Sequence, residues 1–309
     1  MATLYTQKSS NIRKTWLLMA GFFGAVIAIG WTFSQIYDSP GILYIAVAFS
    51  IIMNIASYWF SDRIVLAMHR AEPMDLKSQP ELYRILENLT IAAGLPMPRL
   101  YLINDPAPNA FATGRNPQHA VVCATTGLLQ LLDRSELEGV LAHELSHVGN
   151  RDMIVSTVAV VLVGFISILA DMFMRSLWFG GMGRSRDDRE GNSGILMLIG
   201  ILLSILAPIA ATLIQLAISR RREFLADASG ALLTRYPEGL ASALRKIGSS
   251  PRTLQTATNA TAHLFFENPF GADRGDQHRT PWLVKMFSTH PPIEERIKIL
   301  SVMSGQHDA

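Results

Sequence analysis

The chain has 309 residues, 49% of them hydrophobic and only 17% charged, where soluble domains usually carry about 25% charged residues. The formal net charge is +2, so nothing global argues for nucleic acid as a partner. The single cysteine, Cys123, excludes an internal disulfide and fits a reduced compartment. This composition is expected of an α-helical membrane protein with a modest soluble portion.

Two uncharged apolar stretches open the chain, from about Thr15 to Tyr37 and from about Gly41 to Phe60. Each is long enough to cross a hydrocarbon core of about 30 Å as a helix. Asp38-Ser39-Pro40-Gly41 between them reads as a tight turn. Lys8, Arg13 and Lys14 precede the first run, and Arg63 and Arg70 follow the second, so both flanks are expected in the cytoplasm and the turn outside. The first run is too long for a signal peptide and lacks a small-residue cleavage site, so it reads as an uncleaved anchor.

A soluble stretch follows. Pro80 to Ala93 reads as an amphipathic helix through Leu82, Ile85, Leu86 and Leu89. Arg99 to Ile103 and His119 to Thr125 read as strands, and Cys123 in the second reads as a buried thiol rather than a nucleophile. Between them, Asn109, Ala110, Phe111 and Ala112 lead into Thr113-Gly114. As an edge strand this segment could take a substrate as an added strand; the alternative is a turn-rich connector.

His143-Glu144-Leu145-Ser146-His147 carries the most chemistry. It matches the H-E-x-x-H pattern of zinc peptidases. Leu137, Val140, Leu141, Leu145 and Val148 recur at helical spacing, and Ser135-Glu136-Leu137-Glu138 fits a capping box, so a helix is expected from Ser135 to Asn150. On it His143 and His147 share a face and can grip one ion, with Glu144 beside a water that it can deprotonate.

Two further apolar runs follow, Met153 to Ala170 and Asn192 to Ser219, the latter containing Pro208 and ending at Arg220-Arg221-Arg222. The loop between them holds Arg175, Arg184, Arg186 and Arg189, which oppose export. The runs are expected either to form two spans or to lie as a shallow hairpin or greasy lid on the domain.

The third metal donor must come from beyond them, because Asn150 and Met153 occupy the glycine and final-histidine positions of the extended motif. Glu223 and Asp227 are four apart on an expected helix. Glu223 could bind the ion while Asp227 accepts a hydrogen bond from a ligand histidine; a solvated pair on a helix face is the alternative. If Glu223 is a donor, the hairpin crosses the membrane twice or not at all. Ser288-Thr289-His290-Pro291-Pro292 precedes a helix from about Ile293. His290 could polarise the scissile carbonyl, bind the metal at rest, or cap the helix. Arg296 reads as a surface or ion-pair residue.

H-E-L-S-H, E-F-L-A-D, N-A-F-A-T-G and S-T-H-P-P, with four apolar runs in this order, resemble the HtpX family of bacterial membrane zinc metalloproteases. The resemblance covers nearly the whole chain. It implies transmembrane helices plus a mainly helical zincin-like domain with a small β-sheet, similar to the CAAX prenyl proteases. It further implies zinc held by His143, His147 and Glu223, Glu144 as the catalytic base, an inner-membrane location with a cytoplasmic active site, and damaged membrane proteins as substrates under stress. The expected division is 1–61 as two transmembrane helices, 62–152 as the first catalytic part, 153–219 as the apolar hairpin, and 220–309 as the second catalytic part. The expected partners are polypeptides and the lipid bilayer, with no nucleic acid. The alternative from another class is a non-catalytic membrane scaffold with a structural metal, against which an intact Glu144 argues.

Overall fold

The computed structural model describes residues 4–36, 38–180, 219–258, 261–269 and 291–305. Helices α1 (Leu4–Ile36) and α2 (Pro40–Trp59) form an antiparallel hairpin, reversed where Asp38 takes φ 45°. Lys8–Gln35 and Pro40–Trp59 are long and apolar enough to cross a membrane. Helix α1 begins well before the apolar run, because Leu4 to Lys14 continue the same helix. Trp16, Leu17, Trp31, Tyr44, Ile45, Ile52 and Trp59 face outward, an apolar surface of the kind that lipid covers. Trp16 stacks on Tyr58 with ring centroids 6.1 Å apart, and Trp31 lies about 22 Å farther along the helix. These aromatics suit the two interfaces of a bilayer.

Helix α3 (Ser61–Met68) leads into the soluble part. There β1 (Glu72–Met74), β2 (Arg99–Ile103), β3 (Ala110–Thr113) and β4 (Val121–Thr125) form one sheet in the order β1-β2-β4-β3. β2 and β4 run parallel, whereas β1 and β3 pair antiparallel at the two edges. The Asn109 segment is thus an edge strand and not a connector. β1 escaped sequence notice because it is three residues long with Pro73 at its centre, which only an edge tolerates. The reading of His119 as strand is corrected, since Pro117–His119 is a 3₁₀ turn and β4 starts at Val121.

Helices α4 (Pro80–Ala93), α5 (Thr126–Leu131), α6 (Arg134–Asn150), α7 (Asp152–Gly180), α8 (Arg220–Thr234), α9 (Pro237–Ser249) and α10 (Ile293–Met303), with a 3₁₀ turn at Ala262–Leu264, complete the described elements. Leu82, Ile85, Leu86 and Leu89 of α4 join Leu137, Val140, Leu141 and Leu145 of α6 and Leu240 and Leu244 of α9 in one core. A second core sits in the membrane part, where Leu18 and Phe22 of α1 and Met53 of α2 meet Ile154, Val155, Val158 and Leu162 of α7. The start of the third apolar run is therefore helix, packed into the bundle. The fourth run lies outside the described residues except for Ser219.

The cap of α6 differs from expectation. Asp133, not Ser135, is the N-cap: its Oδ1 accepts the amides of Ser135 and Glu136, and Glu136 Oε2 accepts the amide of Asp133. The box is shifted because Asp133 supplies an acidic acceptor that Ser135 lacks. At its other end α6 stops at Arg151, whose φ of 57° turns the chain through 84° into α7. A left-handed arginine costs about 1 kcal/mol. The bend sets Asp152 beside His147.

A third core encloses His69, which is buried with its ring 5.6 Å from that of Phe111 and 5.1 Å from that of Phe265. Burial depresses its pKa from 6.5 to about 4. Between those values the unfolded chain binds the proton and the folded chain does not. Stability attributable to His69 is therefore full above about pH 6.5, falls as pH drops toward 4, and levels off below. The slope is at most about 1.4 kcal/mol per pH unit. His69→Phe should flatten the pH dependence of unfolding in this window relative to wild type, followed by circular dichroism in detergent. Parallel curves for the two proteins would refute the assignment.

Candidate metal centre and active site

Helical spacing brings His143 and His147 of α6 together, with their Nε2 atoms 3.1 Å apart. Helix α8 crosses α6 closely at Gly230, where a Cβ would lie 2.9 Å from the His143 amide nitrogen. No larger residue fits there without moving a helix. The crossing carries Glu223 to the two rings: Oε2 lies 3.6 Å from His143 Nε2 and Oε1 lies 3.7 Å from His147 Nε2. The three donors lie within 4.8 Å of one another and could hold one metal ion. Donors about 2.1 Å from a shared tetrahedral ion stand roughly 3.4 Å apart, so spacing and donor chemistry both fit zinc.

Each histidine turns its other nitrogen to a carboxylate. His143 Nδ1 lies 2.9 Å from Asp227 Oδ1, and His147 Nδ1 lies 3.3 Å from Asp152 Oδ2. Such contacts fix the tautomer that leaves Nε2 to face an ion. Burial alone would lower the His143 pKa, but contacts with Asp227 and Glu223 outweigh it and raise the value to about 9. Burial opposes ionisation of Asp227, yet Arg296 and His143 hold its carboxyl down at about 2.

Arg296 is a correction to the sequence reading. It is not a surface residue: its side chain is fully buried, and Nε and Nη2 donate to Asp227 at 2.8 and 2.7 Å. Its guanidinium also donates to the Phe266 carbonyl at 3.2 Å and lies over the Phe266 ring. Burial of so large a cation is tolerable because it meets a carboxylate, a carbonyl and a π-face.

Glu144 is 2% exposed. Burial raises its pKa, against the opposing effect of His143, His147 and a hydrogen bond from the Ala112 amide. A buried carboxylate beside a metal-type donor set is chemically suited to proton transfer. Ala112 and Glu144 line a cavity of about 30 Å³ together with His143, His147, Glu223, His263 and Phe266. That volume is enough to hold water.

The edge strand is engaged by the chain itself. The Phe266 amide donates to the Ala110 carbonyl at 2.7 Å. Asn109 Nδ2 donates to the Glu267 carbonyl at 2.8 Å, and Asn109 Oδ1 accepts the Glu267 amide at 3.2 Å. Phe111 points away from the cavity into the core with His69 and Phe265. His290 lies outside the described residues. Asp152, His263 and Phe266 were missed by sequence reasoning. Asp152 follows His147 by five positions, off the shared helical face, and only the 84° bend returns it.

The model of peptidase family M48 matches residues 76–304. The chain is 46% identical over 305 residues to the "Protease HtpX homolog" of Caldanaerobacter subterraneus, covering 98% of each. It is 47% identical over 290 residues to that of Pyrococcus furiosus, covering 93% of this chain and 94% of the relative. Among solved structures, Ste24p of S. mikatae aligns with a TM-score of 0.49 at 19% identity, over 96% of this chain and 67% of that one. The chain therefore belongs to peptidase family M48, in its HtpX group.

Removing Arg296 strands a buried carboxylate. Arg296→Met should destabilise the fold by about 3–5 kcal/mol, and the double variant Asp227→Asn/Arg296→Met should recover part of that loss. Chemical denaturation in detergent measures both. Equal stability of Arg296→Met and wild type would show that the pair carries no weight.

Proposed function

We propose that this chain is a membrane-anchored zinc endopeptidase that cleaves misfolded or damaged membrane-associated polypeptides. The observation that carries this reading is the convergence of His143, His147 and Glu223, with the buried Glu144 beside them. In this reading those three residues hold zinc, which supplies Lewis acidity for water and for the scissile carbonyl. Glu144 takes the proton of the attacking water and returns it to the departing amine. Asp227 and Asp152 keep the imidazoles in the ligating tautomer.

The backbone of β3 offers peptide hydrogen bonds next to Glu144, which favours an extended polypeptide over a small molecule. A substrate pairing at Ala110 must displace the Phe266 amide, so the segment carrying Phe266 moves aside on binding. His290 is assigned the oxyanion-stabilising part that its sequence context suggests. Asp152, Met153 and Ser156 of α7 line the site, and α7 packs on α1 and α2, which favours substrates associated with a bilayer. Positive flanks on the two amino-terminal spans support a bacterial inner-membrane protein with its catalytic part in the cytoplasm.

Glu144→Gln should retain zinc and fold but lose roughly 10²- to 10⁴-fold in turnover of an unfolded protein substrate. Zinc content, circular dichroism and cleavage assays on detergent-purified protein check this. Near wild-type cleavage by the zinc-loaded variant would remove Glu144 from the mechanism.

The topology has its own test. In a Cys123→Ser background, a cysteine placed at Asp38 should label with an impermeant maleimide in intact cells, and one at Gln118 should not. Labelling at Gln118 from outside would overturn the cytoplasmic assignment.

A further inference from the structure

Asn11 belongs to helix α1, ahead of the apolar run, yet it is fully buried. A buried primary amide is costly unless its groups are bonded. Asn11 Nδ2 donates to the Asn150 carbonyl at 3.0 Å and to Asp152 Oδ1 at 2.5 Å. Its Oδ1 accepts from Arg222 Nη1 at 3.5 Å. Asn150 ends α6, so this carbonyl lacks a partner within its own helix. Asp152 opens α7, and Arg222 directly precedes Glu223 in α8. One side chain of the membrane hairpin thus ties both arms of the 84° bend and reaches the helix of the third donor.

Asp152 is the hinge of this arrangement. Its Oδ2 faces His147 Nδ1 at 3.3 Å, while its Oδ1 is shared between Asn11 and Arg222, whose Nε lies 3.6 Å away. An aspartate so held cannot rotate away from the imidazole without breaking two other contacts.

We infer that Asp152 is the positioning residue for His147, and that Asn11 holds Asp152 in place, which makes membrane helix α1 a structural part of the metal centre. The inference rests on the metal-site reading proposed above. It implies that a tilt or shift of α1 changes metal affinity and not merely anchoring.

The test is a double-mutant cycle on the full-length protein in detergent, with zinc affinity measured by competition with a chromogenic chelator. Asp152→Asn should weaken zinc binding about 10- to 100-fold. Asn11→Ala should weaken it several-fold in the wild-type background and not at all when Asp152 is already Asn. Cobalt-loaded Asn11→Ala should show an altered visible ligand-field spectrum, which a merely structural role would leave unchanged. Thr15→Ala is the control: Thr15 is buried one turn along the same helix, and its hydroxyl donates to the Asn11 carbonyl. It should leave zinc affinity unchanged even if it lowers stability. If Asp152→Asn does not fold, the contrast between Asn11→Ala and Thr15→Ala decides the question. Equal zinc affinity of Asn11→Ala and wild type, or additive losses in the cycle, would overturn the inference while leaving the metal site intact. Wild-type protein that binds no zinc would overturn both.

Discussion

Two histidines and a glutamate are held in a largely buried helix crossing, and each buried polar group there requires a partner of opposite character. Asp227 answers His143, and Arg296 answers Asp227. Asp152 answers His147, and Arg222 with Asn11 answers Asp152. The two chains of contacts start on neighbouring histidines and end in different helices, one in α10 and the other in α1. The carboxy-terminal helix and the amino-terminal membrane helix therefore both depend on the same few buried charges. Burial makes these pairs costly to break one partner at a time, and so ties distant elements to one geometry.

The bend at Arg151 joins the two hydrophobic cores. Above it α6 packs on α4, α8 and α9; below it α7 packs on α1 and α2. A straight continuation would carry Asp152 away from His147. The left-handed turn brings the first carboxylate of α7 back over the last turn of α6, so strain in one residue completes the surroundings of a donor.

The edge of the sheet shows the same economy of position. β3 presents Ala112 to Glu144 and Ala110 to Phe266. Phe266 also receives Arg296 at its carbonyl and over its ring. The residue lying along the edge strand is thus anchored to the group that orients Asp227, and displacement of one is felt by the other. The small cavity that results has room for water.

Much of the site was legible in the chain because it is written at helical spacing. His143 and His147 are four apart, as are Glu223 and Asp227, and a helix places such pairs on one face whatever surrounds it. The apolar runs likewise declared α1 and α2, since a hydrocarbon core demands uninterrupted apolar length. The short apolar runs around Tyr101 and Cys123 declared β2 and β4. Arg296 was misread because sequence around it is that of a solvated helix, and only the fold covers it. Asp152 and Asn11 carried no local signal: one stands off the histidine face and the other precedes a membrane span. Which donors share a helix follows from local periodicity. The bend at Arg151 decides that Asp152, five positions on, meets His147, and the amide and guanidinium contacts that hold the two aspartates join residues 69 to 211 positions apart, which only the packed chain brings about.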